Sequence, residues 1–570
     1  MRIALALGLA LGLLGACGAE DAPPAGAEST KDAGAAASSG APSTAPSSPF
    51  GGSSGAADDA GVRRGIFPAS FGFGSATAGF QVEMGCPTVA ASVCEDRKSD
   101  WYQWITTDRI TRNPLLYMSG DAPSTGPGFF EKYASDIGLA GGQGAGELGT
   151  QVLRLSIEWS RVFPTATFGA DSAALDALAD PAALAYYHGV FDALRARGMR
   201  PSVTVSHYSL PLWIHDGNRC NQDMGDCMAA HVAGWADPDR SRIVGEIAKY
   251  AGFLGREFGA DVDEWATENE PFSAVVVPGY LLATEMRSNP PGRSAAWMHV
   301  DAAKTATLAL IEGHARMYDA LKSNDTVDAD GDGTAASVGI VYAFSDIQPL
   351  TDSEGDKKVT EDAKYFFHSL FMDGVAKGIV DPNWDKGRGK GTVRPDLQNR
   401  LDWIGVNYYF RFRAQNTVVP TLPFISPLVT FNMTQPFDGE CPTCIENAAF
   451  AALEYGKPIV IAETGFPATA KDDAPTQDRK QTAWLVRTLG AVQSMVQRGI
   501  DVRGYYAWSL MDNYEWNHGM GMRFGLYAVD PTTKARSARP AAAALRRIAD
   551  AREVPADLAA DYAGEFAGMP

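Results

Sequence analysis

The chain has 570 residues, of which 45% are hydrophobic and 21% are charged, a composition typical of globular proteins. Its formal net charge is -19 and its isoelectric point is about 4.9. Such an acidic balance argues against nucleic-acid binding, because phosphate contacts need clustered Lys and Arg side chains. The length suggests several domains, but α/β barrels often run this long as one unit.

The first 17 residues have the features of an export signal. After a short basic start, an apolar run over 3–14 is too short to span a bilayer. The run ends in Leu-Gly-Ala before Cys17, which resembles a bacterial lipobox, where the peptide is cut before a cysteine that then carries lipid. We therefore expect an exported lipoprotein anchored to a membrane, in the periplasm or at the cell surface, with the outer membrane favoured. An ordinary secretion signal is the alternative.

Residues 18–65 consist largely of Ala, Gly, Ser and Pro. Such a segment buries too little apolar surface to fold and predicts a flexible, disordered linker. One folded domain is expected over 66–552, followed by a C-terminal tail over 553–570.

Six further cysteines fall into three close pairs. An oxidising compartment would favour local disulfides, although the spacing leaves their connectivity open. The last pair also has the spacing of a redox or zinc site, but no second such motif and no nearby His supports a metal. The cysteines are Cys86, Cys94, Cys220, Cys227, Cys441 and Cys444.

Short β-prone runs alternate with longer helical stretches after the linker. Helices are predicted over 241–258, 302–321 and 479–497. This alternation predicts a parallel sheet, and eight strands fit a closed (β/α)8 TIM barrel. A doubly wound open sheet is the alternative, but no Gly-rich phosphate loop follows the first strand. The predicted strands are 69–78, 151–159, 199–208, 264–271, 336–344, 401–410, 457–466 and 501–512.

Polar side chains collect where five of these strands end, which is where functional groups cluster in such a barrel. Aromatic faces stack on sugar C–H surfaces, while amides and carboxylates bind hydroxyls, so the composition suits a polyol ligand. The strand ends are Ser206-His207-Tyr208, Glu268-Asn269-Glu270, Asn407-Tyr408-Tyr409, Glu463-Thr464 and Trp508-Ser509-Leu510.

Two of these carboxylates are candidates for catalysis. Hydrolysis of a glycoside needs one carboxyl to protonate the leaving oxygen and another to act on the anomeric carbon. Glu270 is followed by Pro271 at a strand end, and Glu463 ends the apolar run 459–462, where a carboxylate is costly unless paired or functional. Arg154, within an apolar strand, needs an anion there, and a purely structural ion pair is the alternative for it.

The motifs resemble glycoside hydrolase family 1 in order and spacing, from about Phe67 to Ala549, and look most like its archaeal-type β-glycosidases. The resemblance implies a single catalytic domain, no cofactor and no metal. It also implies a retaining, exo-acting β-glycosidase that releases terminal glucose, galactose or fucose from oligosaccharides or from aryl and alkyl β-glycosides. The blocks include FGFGSATAGFQVE at 71–83, LRLSIEWSRVFP at 153–164, TENEP at 267–271, LDWIGVNYY at 401–409 and WSLMDNYEW at 508–516.

The resemblance also implies roles for individual residues. Glu270 is expected to be the acid/base and Glu463 the nucleophile, with their carboxyls about 5–5.5 Å apart and Glu463 ionised. Arg154 is expected to orient the nucleophile, and Tyr409 to donate a hydrogen bond to it. The positions expected to bind sugar are Gln81, His207, Asn269, Trp508, Glu515, Trp516 and Phe524.

Three residues depart from the family pattern. Thr464 replaces the usual Asn after the nucleophile, and Tyr208 replaces the usual Trp after the sugar-binding His. Glu268 stands before Asn269, where the family usually has an apolar residue. Glu268 could raise the pKa of a neighbour or be neutralised by a buried Arg. A transglycosidase and a non-catalytic glycan-binding surface protein are the alternative functions.

An acidic segment lies outside the family pattern. Asp328, Asp330 and Asp332 precede Gly333 and resemble the opening of a calcium loop, but Gly339 stands where such a loop has Glu. A solvated acidic turn is at least as good an interpretation, so no metal is assigned and calcium binding here is left open.

Overall fold

A computed structural model describes residues 65–285, 287–292, 298–417, 425–434, 440–467 and 473–566. The predicted lipobox at Cys17 and nearly all of the predicted linker lie outside these residues. Within the described ranges, no helix has the length and apolar character needed to cross a bilayer.

Eight parallel strands close into a barrel, as the sequence predicted, and each lies inside its predicted segment. Neighbours around the barrel follow the order β1-β8-β7-β6-β5-β4-β3-β2, so that β1 pairs with both β2 and β8. This is the predicted (β/α)8 TIM barrel. The strands are β1 Gly72–Ala76, β2 Val152–Ser156, β3 Arg200–Ser206, β4 Glu264–Asn269, β5 Ser337–Ala343, β6 Ile404–Tyr408, β7 Ile459–Thr464 and β8 Val502–Trp508.

Helices cover the outside of the barrel, and the three predicted from the sequence are present with slightly wider bounds. Asp180 caps one helix, accepting hydrogen bonds from the backbone of Ala182 and Ala183. The longer helices are Phe129–Gly141, Pro181–Arg195, Arg240–Phe258, Val300–Asn324, Glu354–Lys364, Leu370–Lys377, Ile445–Leu453, Ala474–Gln497 and Pro540–Ala551. A π-helix over Pro271–Leu281 follows β4, and a small sheet joins Asp346–Pro349, Arg411–Asn416 and Phe431–Met433.

Side chains that alternate between the two faces of each strand form two hydrophobic cores, one outside and one inside the barrel. In β4, Trp265 packs outward against the helices, while Ala266 faces the smaller cluster inside the barrel. Val152, Val341 and Val460 belong to that same interior cluster. Because apolar side chains fill the interior, polar groups are displaced toward the C-terminal ends of the strands.

The two strands that end in candidate catalytic carboxylates each carry a bulge. Between Ile461 and Glu463, β7 advances two residues while β6 advances one. Between Ala266 and Asn269, β4 advances three residues while β5 advances two. An extra residue re-aims the side chains that follow it. Both bulges therefore set the direction of the residues at the mouth of the barrel.

The six described cysteines form three local disulfides. Cys86 pairs with Cys94, Cys220 with Cys227, and Cys441 with Cys444. With both sulfurs of the last pair bonded to each other, they form no thiolate ligands for zinc.

Candidate active site

A cavity opens at the C-terminal end of the barrel, with about 520 Å³ of empty space that includes its opening to solvent. Aromatic rings, carboxylates and amides line it together, as the strand ends predicted. The lining residues include Gln81, His207, Tyr208, Arg287, Tyr409, Glu463, Trp508, Glu515, Trp516, Met522 and Phe524.

Glu463 lies at the wall of this cavity and is only 3% exposed. Arg154 donates a hydrogen bond to its Oε1 at 2.5 Å, and Tyr409 donates to its Oε2 at 2.9 Å. Burial raises the pKa of Glu463 to about 7, with Arg154 opposing that shift and Glu270 adding to it. The direct contact with a guanidinium favours the ionised form of Glu463 within the coupled pair.

Glu270 follows β4 in a left-handed backbone conformation, with φ 44°, and is 4% exposed. Such a conformation is costly for a residue with a Cβ and is held by the surrounding structure. Tyr208 donates to its Oε2 at 3.0 Å, and Asn407 donates to its Oε1 at 2.9 Å. Glu270 is therefore a fixed, buried carboxyl and not a surface loop carboxylate.

Arg154 connects the two sides of the site. Besides Glu463, it donates to Asn269 Oδ1 at 2.8 Å and to Thr204 Oγ1 at 3.1 Å. The side chain is 1% exposed, so its charge needs these partners. The acid that pairs with Arg154 is the one predicted as nucleophile.

The predicted sugar-binding carboxylate, Glu515, faces the same cavity. Gln81 donates to its Oε2 at 3.2 Å, and Trp508 donates a further hydrogen bond. Burial raises the pKa of Glu515 to about 7, with Arg287 opposing the shift. Phe524 lines the cavity close to this group. These residues form a polar and aromatic wall that suits hydroxyl groups.

His207 and Asn269 lie side by side at the ends of β3 and β4. Asn269 Nδ2 lies 3.2 Å from His207 Nε2, and the imidazole packs parallel to the rings of Trp508 and Trp516. Burial lowers the pKa of His207 well below its usual range, so the ring is neutral. Its buried Nδ1 has no hydrogen-bond partner among the described residues, unlike that of a satisfied core histidine.

Comparison with known proteins identifies the family. The model of glycosyl hydrolase family 1 matches residues 63–554. The chain belongs to glycosyl hydrolase family 1. It is therefore an O-glycoside hydrolase, as the sequence predicted.

Related proteins agree with this assignment. A β-galactosidase of Saccharolobus solfataricus is 32% identical over 514 residues, which cover 85% of this chain and 95% of that protein. A β-galactosidase of Pyrococcus woesei is 31% identical over 518 residues, covering 83% and 95%. The β-glycosidase of Thermosphaera aggregans superposes with a TM-score of 0.71 at 29% identity, covering 87% of this chain and 99% of that one.

The three departures of this family 1 hydrolase have different consequences. Tyr208 contacts Glu270 and accepts a hydrogen bond from Asn269 at 2.8 Å. Thr464 accepts a hydrogen bond from Trp484 on the outer side of the barrel. Neither oxygen of the buried Glu268 has a partner in the described part of the chain, and burial raises its pKa well above the usual range. Neutralisation of Glu268 by a buried Arg is therefore wrong; the group is neutral because it holds a proton.

Three contacts of the hydrolase were not predicted from the sequence. Asn407 was noted among the polar strand ends but not assigned to the site, although it contacts both Glu270 and Asn269. Thr204 appears in the sequence as an ordinary β-branched strand residue. Arg287 lies in the loop after β4, where the family resemblance fades, and no pattern in the sequence marks it.

The acidic turn lies at the opposite end of the barrel. Asp328 accepts hydrogen bonds from the backbone of Gly331, Asp332 and Gly333, and Asp330 pairs with Arg200 at 3.0 Å. Asp328 and Asp330 lie close to Asp263, whereas Asp332 does not belong to this group. Most of these oxygens already have partners, which favours the interpretation as an acidic turn.

Proposed function

We propose that the chain is a retaining, exo-acting β-glycosidase that removes one terminal β-linked sugar by double displacement. The observation that carries this is the different setting of two buried carboxyls at the mouth of the barrel, Glu463 in the cavity wall and Glu270 bonded to the cavity-lining Tyr208. Glu463 contacts the Arg154 guanidinium directly, whereas Glu270 accepts its hydrogen bonds from the neutral donors Tyr208 and Asn407 and lies 3.5 Å from Arg287. One group is therefore suited to attack as an anion and the other to carry a proton.

In the first step, Glu463 attacks the anomeric carbon and the bond to the leaving oxygen breaks, while Glu270 gives that oxygen its proton. The products are a glycosyl ester on Glu463 and a free alcohol. Arg154 and Tyr409 hold the attacking carboxylate, because both donate hydrogen bonds to it.

In the second step, Glu270, now ionised, takes a proton from water as the water attacks the anomeric carbon. The ester bond to Glu463 breaks and its carboxylate is restored. This mechanism predicts a carboxyl separation of about 5–5.5 Å.

The exo-acting mode rests on the wall formed by Glu515, Gln81 and Trp516 at one end of the cavity. A single sugar would place its hydroxyls against this wall. The name β-galactosidase of two relatives supports galactose as the terminal unit, and glucose and fucose follow from the family resemblance. Glu515 would repel a phosphate on that unit.

The test is hydrolysis of nitrophenyl β-glucoside, β-galactoside and β-fucoside by the purified protein and by Glu463→Gln and Glu270→Ala. We expect release of nitrophenol by the wild type, loss in Glu463→Gln, and rescue of Glu270→Ala by azide with a β-glycosyl azide as product. An α-glycosyl azide would contradict retention. A folded wild type that binds glycans but turns over no substrate would instead favour a glycan-binding protein.

We further propose that the hydrolase is exported and anchored to a membrane through lipid on Cys17, held by the linker over 18–65. The basic start, the apolar run and the lipobox support this. Labelling with radioactive palmitate tests it: wild-type protein should carry label and partition with membranes, and Cys17→Ser should do neither. Unlabelled wild-type protein in the soluble fraction would contradict the anchor.

A further inference from the structure

Arg287 extends into the cavity from the loop after β4. Its Nη2 lies 3.5 Å from Glu270 Oε2, and its guanidinium lies 5.6 Å from the centre of the Tyr208 ring. Glu515 also acts on its charge. Arg287 is therefore a cation that lines the cavity, beside the group proposed to protonate the leaving oxygen.

The guanidinium has unused hydrogen-bonding capacity. Its Nη1 is buried and has no hydrogen-bond partner among the residues that the structure describes. A buried N–H without a partner is costly, since it has left water without gaining an acceptor. The contact with Glu270 is longer than a charge-assisted hydrogen bond, which is usually about 2.7–2.9 Å. Arg287 is thus positioned for an acceptor that the described residues do not supply.

Arg154 and Arg287 have different surroundings. Arg154 is occupied by Glu463, Asn269 and Thr204. Among the described residues, Arg287 has the longer contact with Glu270, the face of the Tyr208 ring and the charge of Glu515. A ligand anion would therefore bind at Arg287, because guanidinium donors match the two oxygens of a carboxylate.

The position of that anion on the substrate follows from the carboxylates of the site. Glu515 would repel a negative group on the terminal sugar, whereas Glu270 is placed at the leaving oxygen. Since Arg287 lies 3.5 Å from Glu270, the positive charge of its guanidinium faces the leaving group. We propose that Arg287 binds a carboxylate on the leaving group, so that the preferred substrates are β-glycosides of hydroxy acids. This rests on the proposed glycosidase function.

The experiment compares 3- and 4-carboxyphenyl β-glycosides with the matching carbamoylphenyl β-glycosides, using the sugar that the nitrophenyl panel identifies. The measured quantity is the ratio of kcat/KM for the acid to that for the amide, because a ratio within one enzyme cancels any general loss of activity. The proteins are the wild type, Arg287→Gln, Arg287→Lys and, as a control, Arg503→Gln, whose side chain is exposed on the outside.

We expect at least one wild-type ratio of about 10 or more, the size of a charge-assisted hydrogen bond. Arg287→Gln should bring it to about 1, mainly through KM, Arg287→Lys should keep part of it, and Arg503→Gln should leave it unchanged. A wild-type ratio near 1 with both substrates cleaved, or an unchanged ratio in Arg287→Gln, would overturn this inference alone. Cleavage of neither substrate, nor of any nitrophenyl glycoside, would overturn the glycosidase function as well.

Discussion

Strand β4 has a carboxylate just beyond each of its ends, and the two differ in their partners. Asp263, before the strand, accepts hydrogen bonds from the backbone of Ala329 and Asp330, and it is partly exposed. Glu270, after the strand, is buried and bonded by the side chains of Tyr208 and Asn407. The first fastens a turn to the barrel, whereas the second is bonded to Tyr208, which lines the cavity.

The comparison shows how chemically similar groups serve different purposes. Asp263 satisfies the backbone N–H groups of Ala329 and Asp330 whether or not a substrate is bound, so the contact stabilises the fold. Glu270 is held by side-chain donors, and one of them, Tyr208, lines the cavity where a substrate would bind. Substitutions near the cavity should therefore change turnover, and substitutions at the opposite end should change only stability.

The largest effect is expected for Arg154→Met. Loss of the guanidinium leaves the buried Glu463 without its charge partner, so the pKa of Glu463 rises and the attacking anion becomes scarce. We expect kcat/KM for nitrophenyl glycosides to fall by about 10³-fold, an amount comparable to the loss of one strong electrostatic partner. Arg154→Lys should retain more activity, since it keeps the charge. Activity within a few-fold of wild type in Arg154→Met would contradict a role for this pair in turnover.

A smaller effect is expected for Tyr409→Phe, which removes one hydrogen bond to Glu463. We expect kcat/KM to fall by about 10-fold or more, the usual effect of a hydrogen bond to a charged group. Because the phenol lowers the pKa of Glu463, its loss should move the acidic limb of the pH profile to higher pH.

The matched control for Tyr409→Phe is Tyr408→Phe. The neighbouring phenol donates to the backbone of Cys441 outside the barrel and makes no contact with Glu463. Its removal should leave the acidic limb where it is. A shift of equal size in both variants would show that the effect is not specific to the nucleophile.

Glu268→Gln should change how the free energy of unfolding depends on pH. The folded chain keeps a proton on Glu268 that the unfolded chain releases, because burial raises the folded pKa. This costs stability as pH rises above the unfolded pKa of about 4.3, by about 1.4 kcal/mol per pH unit until the folded pKa is reached. The variant should therefore lose less stability than wild type between pH 5 and pH 8 in urea unfolding. An identical pH dependence would show that Glu268 ionises in the folded protein.

The smallest effect is expected for Asp263→Asn at the other end of the barrel. Turnover should be unchanged, and the free energy of unfolding should fall by about 1 kcal/mol, the contribution of a hydrogen bond.

Thermal unfolding of the wild type should be the same with calcium and with a chelator, because Asp328 and Asp330 already have partners. A calcium-dependent rise in Tm that Asp263→Asn abolishes would identify a metal site there instead.

Much of this protein was determined by its sequence. The eight strands lie inside their predicted segments because apolar, β-branched runs bounded by polar residues form buried strands in most contexts. The polar strand ends predicted the mouth of the barrel, and the family motifs placed Glu270 and Glu463 there. The strand patterns are local and the family motifs follow one another along the chain. Both can therefore be recognised without knowing which residues are in contact.

The tertiary structure decided which side chains of the site pair with one another. Arg154 and Glu463 are 309 positions apart and meet only because the barrel closes, bringing β2 and β7 to face one interior. Arg287 reaches Glu270 through a loop whose path no periodic pattern encodes. No cation among the described residues pairs with Glu268, and burial raises its pKa; only the tertiary structure shows both. The side chains were thus predictable from the sequence, whereas their ionisation and pairing depend on distances that folding alone sets.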